Sequence, residues 1–309
     1  MNLRNLEYLL AIDKERHFHR AAERCCVSQP TLSGQLKKLE QELGVQLVER
    51  NNRQVRMTDA GRAVADQARR VINEARAIKS IAQTFHNPMQ GELQLGLIPT
   101  VAPYLLPLIM PLLKKQYPDL KLWLHEQQTA VLLDKLRSAE MDLLILALPV
   151  ETDEFEEQDL FSEAFWLAAP KNEPLTKKKH LRLSDLQDRE ILLLEEGHCL
   201  RGQALDVCFS AGAHENAGFR ATSLETLRYI VGEGMGITLI PDLAVPKRCL
   251  KTDPVTYIPF RNPKPARRIG ILYRKNSYRE AVFKNIAVLI QNSLLSSRHE
   301  SHFSTRDTP

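Results

Sequence analysis

Two cysteines nine residues apart, Cys199 and Cys208 in the stretch EEGHCLRGQALDVC, are the residues of this chain best suited to redox chemistry. The thiolate form of cysteine attacks peroxides, and a helix amino terminus or a nearby cation stabilises that form. The strand-like EILLLEE precedes Cys199, and helical spacing of apolar residues continues from there to Gly212. We therefore predict Cys199 at the start of a helix, with His198 and Arg201 adding positive charge if they turn toward the thiol.

The second cysteine, Cys208, is flanked by Val207 and Phe209 and is predicted on the apolar face of the same helix. Nine helical residues separate the two positions by roughly 13 Å along the axis, because each residue adds ~1.5 Å. A disulfide requires Cα atoms within about 7 Å of each other. The pair can therefore be joined only if the helix unwinds, which would make it a switch. Two inert structural thiols explain the spacing equally well at this point.

A metal site is a third interpretation of this segment. Its ligands would be His198, Cys199, Cys208 and His214. That set lacks the CxxC or HxxxH clustering that is typical of structural zinc sites, so we predict no metal here and no cofactor elsewhere in the chain.

The composition is that of an ordinary globular protein, with 309 residues of which 43% are hydrophobic and 26% charged. No apolar run reaches the 18 or so residues of a membrane span, and the amino terminus lacks signal-peptide features, so we expect a cytoplasmic protein with no membrane partner and reduced thiols. Residues 1–87 carry 15 Lys and Arg against 10 Asp and Glu, a net charge of +5, while the remainder carries 27 against 28. A basic front module indicates binding to a polyanion.

The front module reads as two short helices joined by a tight turn. FHRAAERCC forms the first helix, a break follows at Val27, and Ser28 or Gln29 caps a second helix with Pro30 near its first turn. The inner face of the second helix is predicted to carry Leu32, Leu36, Leu39 and Leu43. This is the pattern of a helix-turn-helix, in which the second helix enters the major groove of DNA.

Polar residues on the second helix and on the segment after it are predicted to contact DNA. On the helix they are Ser28, Gln29, Pro30, Thr31, Ser33, Gln35, Lys37 and Lys38. The following VQLVERNNRQVRMTDAG alternates like a β-hairpin, and its Arg50, Arg53 and Arg56 would form a basic wing. Such groups reach base edges or phosphates. An ordinary small helical domain is the alternative.

A long helix with a different task follows the hairpin. It is capped by Thr58 or Asp59 and ends before Pro88, and its apolar residues form a heptad seam of Val64, Ala68, Val71, Ala75, Ile78, Ala82 and Phe85. A narrow seam suits pairing between two chains, so we predict a dimer that reads a roughly two-fold symmetric operator. Packing of this helix against the body of its own chain is the alternative.

The body begins with a βαβαβ unit. GELQLGLI, LKLWLHE and MDLLILAL are apolar enough for parallel strands, and helices are predicted near 102–116 and 130–139. Ligands of open α/β sheets bind beyond the carboxyl ends of the strands, where Thr100 follows the first strand and Gln128 and Thr129 follow the second. Each threonine could equally be a helix cap without a ligand.

The segment AAERCCVSQPTLSGQLKKLEQELGVQLVER, followed by a Thr-Asp-Ala-Gly step into the long helix, resembles the amino-terminal domain of LysR-type transcriptional regulators. This resemblance implies an α-rich winged helix-turn-helix domain (residues 1–58), a dimerising linker helix (59–87) and a two-lobed α/β regulatory domain like periplasmic binding proteins. We predict a first lobe of residues 88–162 with 268–296, a second lobe of 163–267, and a disordered tail from 297 to 309.

Five short segments resemble the corresponding segments of the hydrogen-peroxide-sensing members of that family: GLIPT, LHEQQT, GHCLR, FRATSLETLR and IGILYR. The resemblance extends to about residue 290. The resemblance implies a peroxidatic Cys199, a resolving Cys208 and a reversible disulfide between them. It also implies that Thr100, Thr129, His198 and Arg267 hold peroxide or polarise its leaving oxygen. The partners it implies are promoter DNA, a second dimer to complete a homotetramer, RNA polymerase and a glutaredoxin-type reductant.

The predicted function is therefore activation of antioxidant genes by hydrogen peroxide, without enzymatic turnover. Two alternatives remain: a regulator gated by a small metabolite with incidental cysteines, and a thiol peroxidase fused to a DNA anchor. An acidic residue is expected directly after Arg201, and this sequence has Gly202 there instead. Cys25 and Cys26 are predicted as small buried residues of the first helix in the front module, and Cys249 receives no role.

Overall fold

The computed structural model describes residues 1–51, 54–84, 90–246 and 252–303, and they divide into two units. One unit comprises Met1–Asn87 with Arg137–Glu140, and the other comprises Pro88–Leu136 with Met141–Pro309. The first contains the helix-turn-helix and the long helix, and the second contains the sheet with both cysteines of the predicted switch.

The helix-turn-helix domain, called the reading head below (residues 1–58), has three helices and a hairpin. They are α1 (Leu3–Glu15), α2 (Phe18–Arg24), α3 (Gln29–Leu43), β1 (Val48–Asn51) and β2 (Gln54–Met57). The predicted cap is confirmed, since the Ser28 hydroxyl accepts a hydrogen bond from the Thr31 backbone N–H. Leu32, Leu36 and Leu39 are fully buried, whereas Leu43 is exposed because it is the last residue of α3, beyond the head's core.

The turn before α3 begins earlier than predicted. Helix α2 ends at Arg24, so Cys25 is its carboxyl cap and Cys26 lies outside it with a left-handed φ of 54°. Cys25 is half-buried, but Cys26 is exposed, so the prediction of a buried residue is wrong for Cys26.

The linker helix α4 (Asp59–Thr84) begins where predicted, with the Thr58 hydroxyl accepting a hydrogen bond from the backbone N–H of Gly61 at 2.8 Å. Its apolar residues do not form one seam. Ala68 is buried with Leu6 of α1, while Val71 and Ile78 are exposed. Ala68 therefore packs on its own head, and the prediction that it belongs to an exposed dimer seam is wrong.

The first lobe of the larger unit is the predicted βαβαβ arrangement. Its elements are β3 (Gly91–Leu97), α5 (Ala102–Gln116), β4 (Leu120–Glu126), α6 (Thr129–Arg137) and β5 (Leu143–Leu148). Strand β3 lies between β4 and β5 and pairs with both in parallel, so the carboxyl ends of all three strands meet at one edge. The loops after β3 and β4, which carry Thr100 and Thr129, are therefore neighbours.

One long strand connects the two lobes. Strand β6 (Phe155–Pro170) pairs antiparallel with β11 (Ala266–Arg274) along its first ten residues and with β9 (Ile237–Pro241) and β10 (Val255–Pro259) beyond them. The acidic residues of EFEEQDLF conceal the alternating pattern of the first half of β6 in the sequence. Strand β10 was not predicted.

The second lobe completes the sheet. It adds β7 (Glu190–Leu194), α7 (Cys199–Ala211), β8 (His214–Ala221) and α8 (Leu224–Gly232). Within the described residues nine strands form one sheet in the order β4-β3-β5-β11-β6-β9-β7-β8, with β10 on β6. Two separate hydrophobic cores flank it, one around Ile145 and Phe283 and the other around Phe165 and Leu192.

The last helix extends into the segment that is predicted as a disordered tail. Helix α9 (Glu280–Phe303) packs Phe283, Ile286 and Ile290 into the first core and continues beyond Ser297, where we had predicted a disordered tail. The prediction is therefore wrong for 297–303, and 304–309 lie outside the described residues. Among the helices described, none is long and apolar enough to cross a membrane.

Candidate functional site

Cys199 is the first residue of α7 and follows the loop after β7. The thiol belongs to the second lobe by sequence, yet it is half-buried against the hydrophobic core of the first lobe. Backbone N–H groups at a helix amino terminus are unpaired and favour negative charge. The position thus combines a nucleophilic sulfur, a stabilising helix end and contact with both lobes.

Cys208 lies on the same helix, as predicted, and only 1% of its surface is exposed. Burial, and then the nearby carboxylate of Glu215, raises the pKa of the Cys208 thiol to about 11. Both cysteines are free thiols. Because α7 is continuous between them, the helical separation of roughly 13 Å applies and no disulfide can form in this conformation.

The two cationic neighbours predicted for Cys199 behave differently. Arg201 turns to Glu215 of β8, with Nη2 at 2.9 Å from Oε1 and 2.7 Å from Oε2. The condition stated for Arg201 is therefore not met, since the side chain turns to a carboxylate of β8 rather than to the thiol. His198 is buried immediately before Cys199, and its Nε2 lies 3.9 Å from Oε1 of Glu195.

A buried ion pair connects the loop after β3 to β11 and β6. The Arg267 guanidinium donates to the Thr100 hydroxyl at 2.9 Å and to the Thr100 carbonyl at 3.0 Å. It also meets Oε1 of Glu163, at 2.8 Å from Nε and 2.7 Å from Nη2, with both side chains fully buried. The other Glu163 oxygen accepts the backbone N–H of Leu243 at 3.1 Å.

Glu163 is the residue of this site that sequence reasoning missed. It lies in β6 at one of the alternate positions that face the core, together with Phe165 and Leu167. An acidic residue on the core face of a strand requires a buried cationic partner, because an unpaired buried charge is very costly. The alternation of Glu163 with Phe165 and Leu167 is therefore the sequence feature that could have identified it.

The loop after β4 contributes an unpaired hydroxyl. Helix α6 begins at Thr129, and its Oγ1 atom is buried with no hydrogen-bond partner among the described residues. Thr100 is not a cap, because Val101 takes that position for α5. A buried hydroxyl without a partner costs free energy, so Thr129 is suited to a small polar ligand.

Thr129 lies beside the loop that carries Cys199. An added Cβ at Gly197 would come 2.5 Å from Oε1 of Gln128, so the loops after β4 and β7 touch there. Gly197 also has a φ of 92°, which glycine adopts without strain. The structure thus brings Cys199 and Thr129 to touching loops and Thr100 to Arg267, while Cys208 lies deeper in the second lobe.

The zinc interpretation finds no support in the described part of the chain. No group of three or more histidine, cysteine, aspartate or glutamate side chains in those residues could hold a metal ion. The predicted fourth ligand, His214, is the first residue of β8, beyond the far end of α7.

The residues predicted to contact DNA lie mostly on the surface of the reading head. Exposed are Ser28, Gln29, Pro30, Thr31, Lys37, Lys38 and Arg56, and half-buried are Ser33 and Gln35. Arg50 lies in β1, and Arg53 falls outside the described residues. Ser28 also shares a hydrogen bond of 2.8 Å with the Thr31 hydroxyl, so both groups stabilise the start of α3.

A helix-turn-helix head, a linker helix and a two-lobed α/β domain with a cysteine between its lobes define a DNA-binding regulator with a ligand or redox input. The chain belongs to the LysR family. The family model for a "Bacterial regulatory helix-turn-helix protein, lysR family" matches residues 3–62, and that for the "LysR substrate binding domain" matches residues 86–294. The resemblance predicted from the sequence motifs is thus confirmed.

Similar proteins carry the name OxyR. The chain is 48% identical over 303 residues to the DNA-binding transcriptional dual regulator OxyR of Escherichia coli K12, covering 98% of this chain and 97% of the relative. A full-length OxyR from Pseudomonas aeruginosa, with a cysteine replaced by aspartate, superposes with a TM-score of 0.76 at 37% identity and covers 94% of this chain and 95% of its own.

A third relative was solved with peroxide bound. This cysteine-to-serine variant of OxyR from Corynebacterium glutamicum, described as H2O2-bound, gives a TM-score of 0.68 at 33% identity and covers 99% of this chain and 97% of its own. The predicted resemblance to peroxide-sensing members of the family is therefore confirmed.

Proposed function

We propose that this protein is a hydrogen-peroxide-responsive transcription regulator, switched by a reversible disulfide between Cys199 and Cys208. The observation that carries the proposal is the position of Cys199 at the amino end of α7, against the first lobe, with its partner buried on the same helix. The names of the OxyR relatives support the same function.

The first step is attack by the Cys199 thiolate on one oxygen of hydrogen peroxide. An S–O bond forms, the O–O bond breaks, and the departing hydroxide takes up a proton to become water. The sulfur is oxidised to sulfenic acid. The amino end of α7 stabilises the anionic sulfur before attack.

Four residues are proposed to hold peroxide for this attack. The unpaired Thr129 hydroxyl supplies a donor and an acceptor beside the Cys199 loop. Thr100 is oriented by the Arg267 guanidinium, which is fixed in turn by Glu163. His198, buried next to Cys199, is the fourth and is suited to donate to the leaving oxygen.

The second step joins the two cysteines. The Cys208 sulfur attacks the Cys199 sulfenic acid, an S–S bond forms, and the hydroxyl leaves as water with the Cys208 proton. Because the cysteines are too far apart along an intact α7, the helix must unwind to bring them together. The helical and unwound forms are the two states of the switch. A glutaredoxin-type dithiol reverses it by supplying two electrons.

The output of the switch is altered binding to promoter DNA. Helix α3 enters the major groove and the hairpin of β1 and β2 contacts the backbone, so two heads read a roughly two-fold symmetric operator. We propose dimers through α4, homotetramers of two dimers, and contact with RNA polymerase for activation. The protein acts in the cytoplasm, where its operators are. It has no enzymatic turnover, since one oxidation suffices for each switching event.

Peptide mapping of the full chain after a brief, low dose of hydrogen peroxide tests the proposal. We expect a cross-link between Cys199 and Cys208 in the parent chain, trapped sulfenic acid at Cys199 in Cys208→Ser, and neither product in Cys199→Ser. Normal induction of a reporter gene by peroxide in Cys199→Ser would instead identify a metabolite-gated regulator. Sustained peroxide consumption over many turnovers with a supplied reductant would identify a thiol peroxidase.

A further inference from the structure

A second pair of thiols lies in the reading head, away from the proposed switch. Cys25 caps the end of α2 and is half-buried against the head's core, and Cys26 follows it, exposed, in the left-handed conformation. The proposed function uses neither residue. Two adjacent cysteines of different exposure form a cluster of nucleophilic groups that needs its own explanation.

The two cysteines line one recess of the smaller unit, which the head shares with α4. Both line it together with the cationic side chains of Arg4, Lys14 and Arg24. Burial is the main reason that the pKa of Cys25 is raised, Glu7 adds to it, and the neighbouring Cys26 raises it further. Because consecutive Cα atoms are about 3.8 Å apart and both side chains line this recess, the two thiols are within reach of the same bound atom.

We propose that Cys25 and Cys26 form a two-thiol binding site for a soft, thiophilic centre of the trivalent arsenical class. Soft thiolate ligands prefer soft centres, and two sulfurs fixed on adjacent residues bind one such atom without a large loss of chain entropy. An arylarsenic(III) oxide reacts by forming two S–As bonds and breaking its As–O bonds. The oxygen leaves as water with both thiol protons, and no atom changes oxidation state.

Occupation of this site acts on the helix that reads DNA. The turn is held by the Cys25 N–H donating to the Ala21 carbonyl at 3.1 Å and the Cys26 N–H donating to the Glu23 carbonyl at 3.0 Å. Ser28, the cap of α3, comes two residues later. One atom bridging both sulfurs draws Cys25 from the core and Cys26 from the surface, which distorts the turn and tilts α3. DNA affinity is therefore expected to fall at least tenfold.

The test uses the full chain with Cys199, Cys208 and Cys249 all replaced by serine, so that the two cysteines that remain are Cys25 and Cys26. Phenylarsine oxide is the probe. Intact mass and free-thiol titration measure its capture, and fluorescence anisotropy on operator DNA measures the DNA affinity. We expect one arsenical per chain, loss of both thiols, release by a dithiol but not by a monothiol, and the tenfold loss of DNA affinity.

The matched control is Cys26→Ser in the same background. The substitution is at an exposed position and should leave the head folded. Circular dichroism and an unaltered DNA affinity without the probe verify this. Capture of the arsenical should weaken at least tenfold there. Equal capture by Cys26→Ser, one thiol still titratable in the parent, or unchanged DNA affinity on capture would each overturn the proposal. The peroxide switch is absent from this background, so either result leaves the proposed function to its own test.

Discussion

The ion pair of Arg267 and Glu163 is the most deeply buried charge interaction among the residues that surround the proposed peroxide site. Every oxygen of Glu163 is used, one by Arg267 and one by the Leu243 backbone. Burying two charges offers little net stability, but removing one partner leaves the other unpaired in a low dielectric. The pair is best understood as a brace that fixes the guanidinium against Thr100.

Glu163→Gln tests this brace. The substitution keeps the side-chain shape but removes the negative charge, so the buried Arg267 loses its counter-ion and we expect the free energy of unfolding to fall by about 3 kcal/mol. Urea denaturation of the reduced protein measures it. Asp159→Asn is the matched control, because Asp159 pairs with Arg268 at an exposed site where water screens the charges. Equal effects of the two substitutions would refute the brace.

The buried Cys208 thiol makes stability depend on pH. Its pKa is about 11 in the folded protein against an ordinary value of 9.0, so the folded state holds this proton more tightly than the unfolded state. The resulting stability is complete below pH 9 and is lost as the pH rises through 11.

We expect the reduced parent chain to lose about 2 kcal/mol more than Cys208→Ala between pH 9 and pH 11. Cys208→Ala lacks the titrating thiol and leaves every other titratable group of the chain in place. Urea denaturation midpoints of the two chains across this range give the difference. Parallel pH profiles would show that Cys208 is accessible to water in the folded state.

At the scale of the element, the proposed switch requires that α7 be stable enough to keep the cysteines apart and weak enough to unwind. Gly202 lies exposed in its second turn, and no atom comes within 4 Å of where a Cβ would be. Glycine in a helix interior costs stability relative to alanine through its backbone entropy. This residue therefore lowers the energy needed to unwind α7, which explains a departure that had no reason in the sequence.

Gly202→Ala should favour the reduced form. The methyl group meets no neighbour, so the helix gains about 1 kcal/mol and the disulfide equilibrium shifts roughly fivefold toward the dithiol. Titration against a glutathione redox buffer, with the disulfide quantified by mass spectrometry, measures the shift.

The matched control is Gly212→Ala, which adds the same methyl group at the end of the same helix. Gly212 caps α7 at a φ of 69°, where a Cβ is strained, so this substitution should shift the equilibrium in the opposite direction. Shifts of the same sign in both variants would contradict an equilibrium governed by the stability of α7.

Local patterns were sufficient to predict most elements. Apolar runs predicted β3, β4 and β5, and Gly212 predicted the end of α7. The partners of charged side chains were not predictable. Arg201 pairs with Glu215 on β8 rather than with Cys199, and no periodicity in the sequence indicates that β8 lies beside α7. Pairings across the sheet, including that of Glu163 with Arg267, depend on register between strands about 100 residues apart.

At the scale of the larger unit, the two lobes share more than a connecting strand. The Tyr104 hydroxyl of α5 donates to Glu225 of α8 at 3.0 Å, and the Cys199 thiol contacts the first core. A conformational change in α7 therefore acts on the first lobe directly, because its amino end is already in contact there. That contact gives the proposed disulfide a physical route to the rest of the regulatory unit.

The proposed dimer would form through the part of α4 that its own head leaves uncovered. Ala68 and Ile72 are buried with Leu6, whereas Val71 and Ile78 remain exposed, Ile78 to 67%. Exposed β-branched side chains on a long helix gain stability by pairing with a second copy. We therefore propose that Val71 and Ile78 take part in pairing, since Ala68 is covered by α1.

Ile78→Glu tests this assignment on the intact protein. A carboxylate at a buried apolar interface is desolvated without a partner, so we expect the dimer to dissociate at micromolar concentration and operator affinity to fall at least tenfold, because each head then binds its half-site alone. Sedimentation equilibrium and DNA-binding isotherms measure the two effects. Gln67→Glu introduces the same charge at an exposed position of α4 off the seam and should leave both unchanged. A dimer that survives Ile78→Glu would mean that the chains pair through another surface.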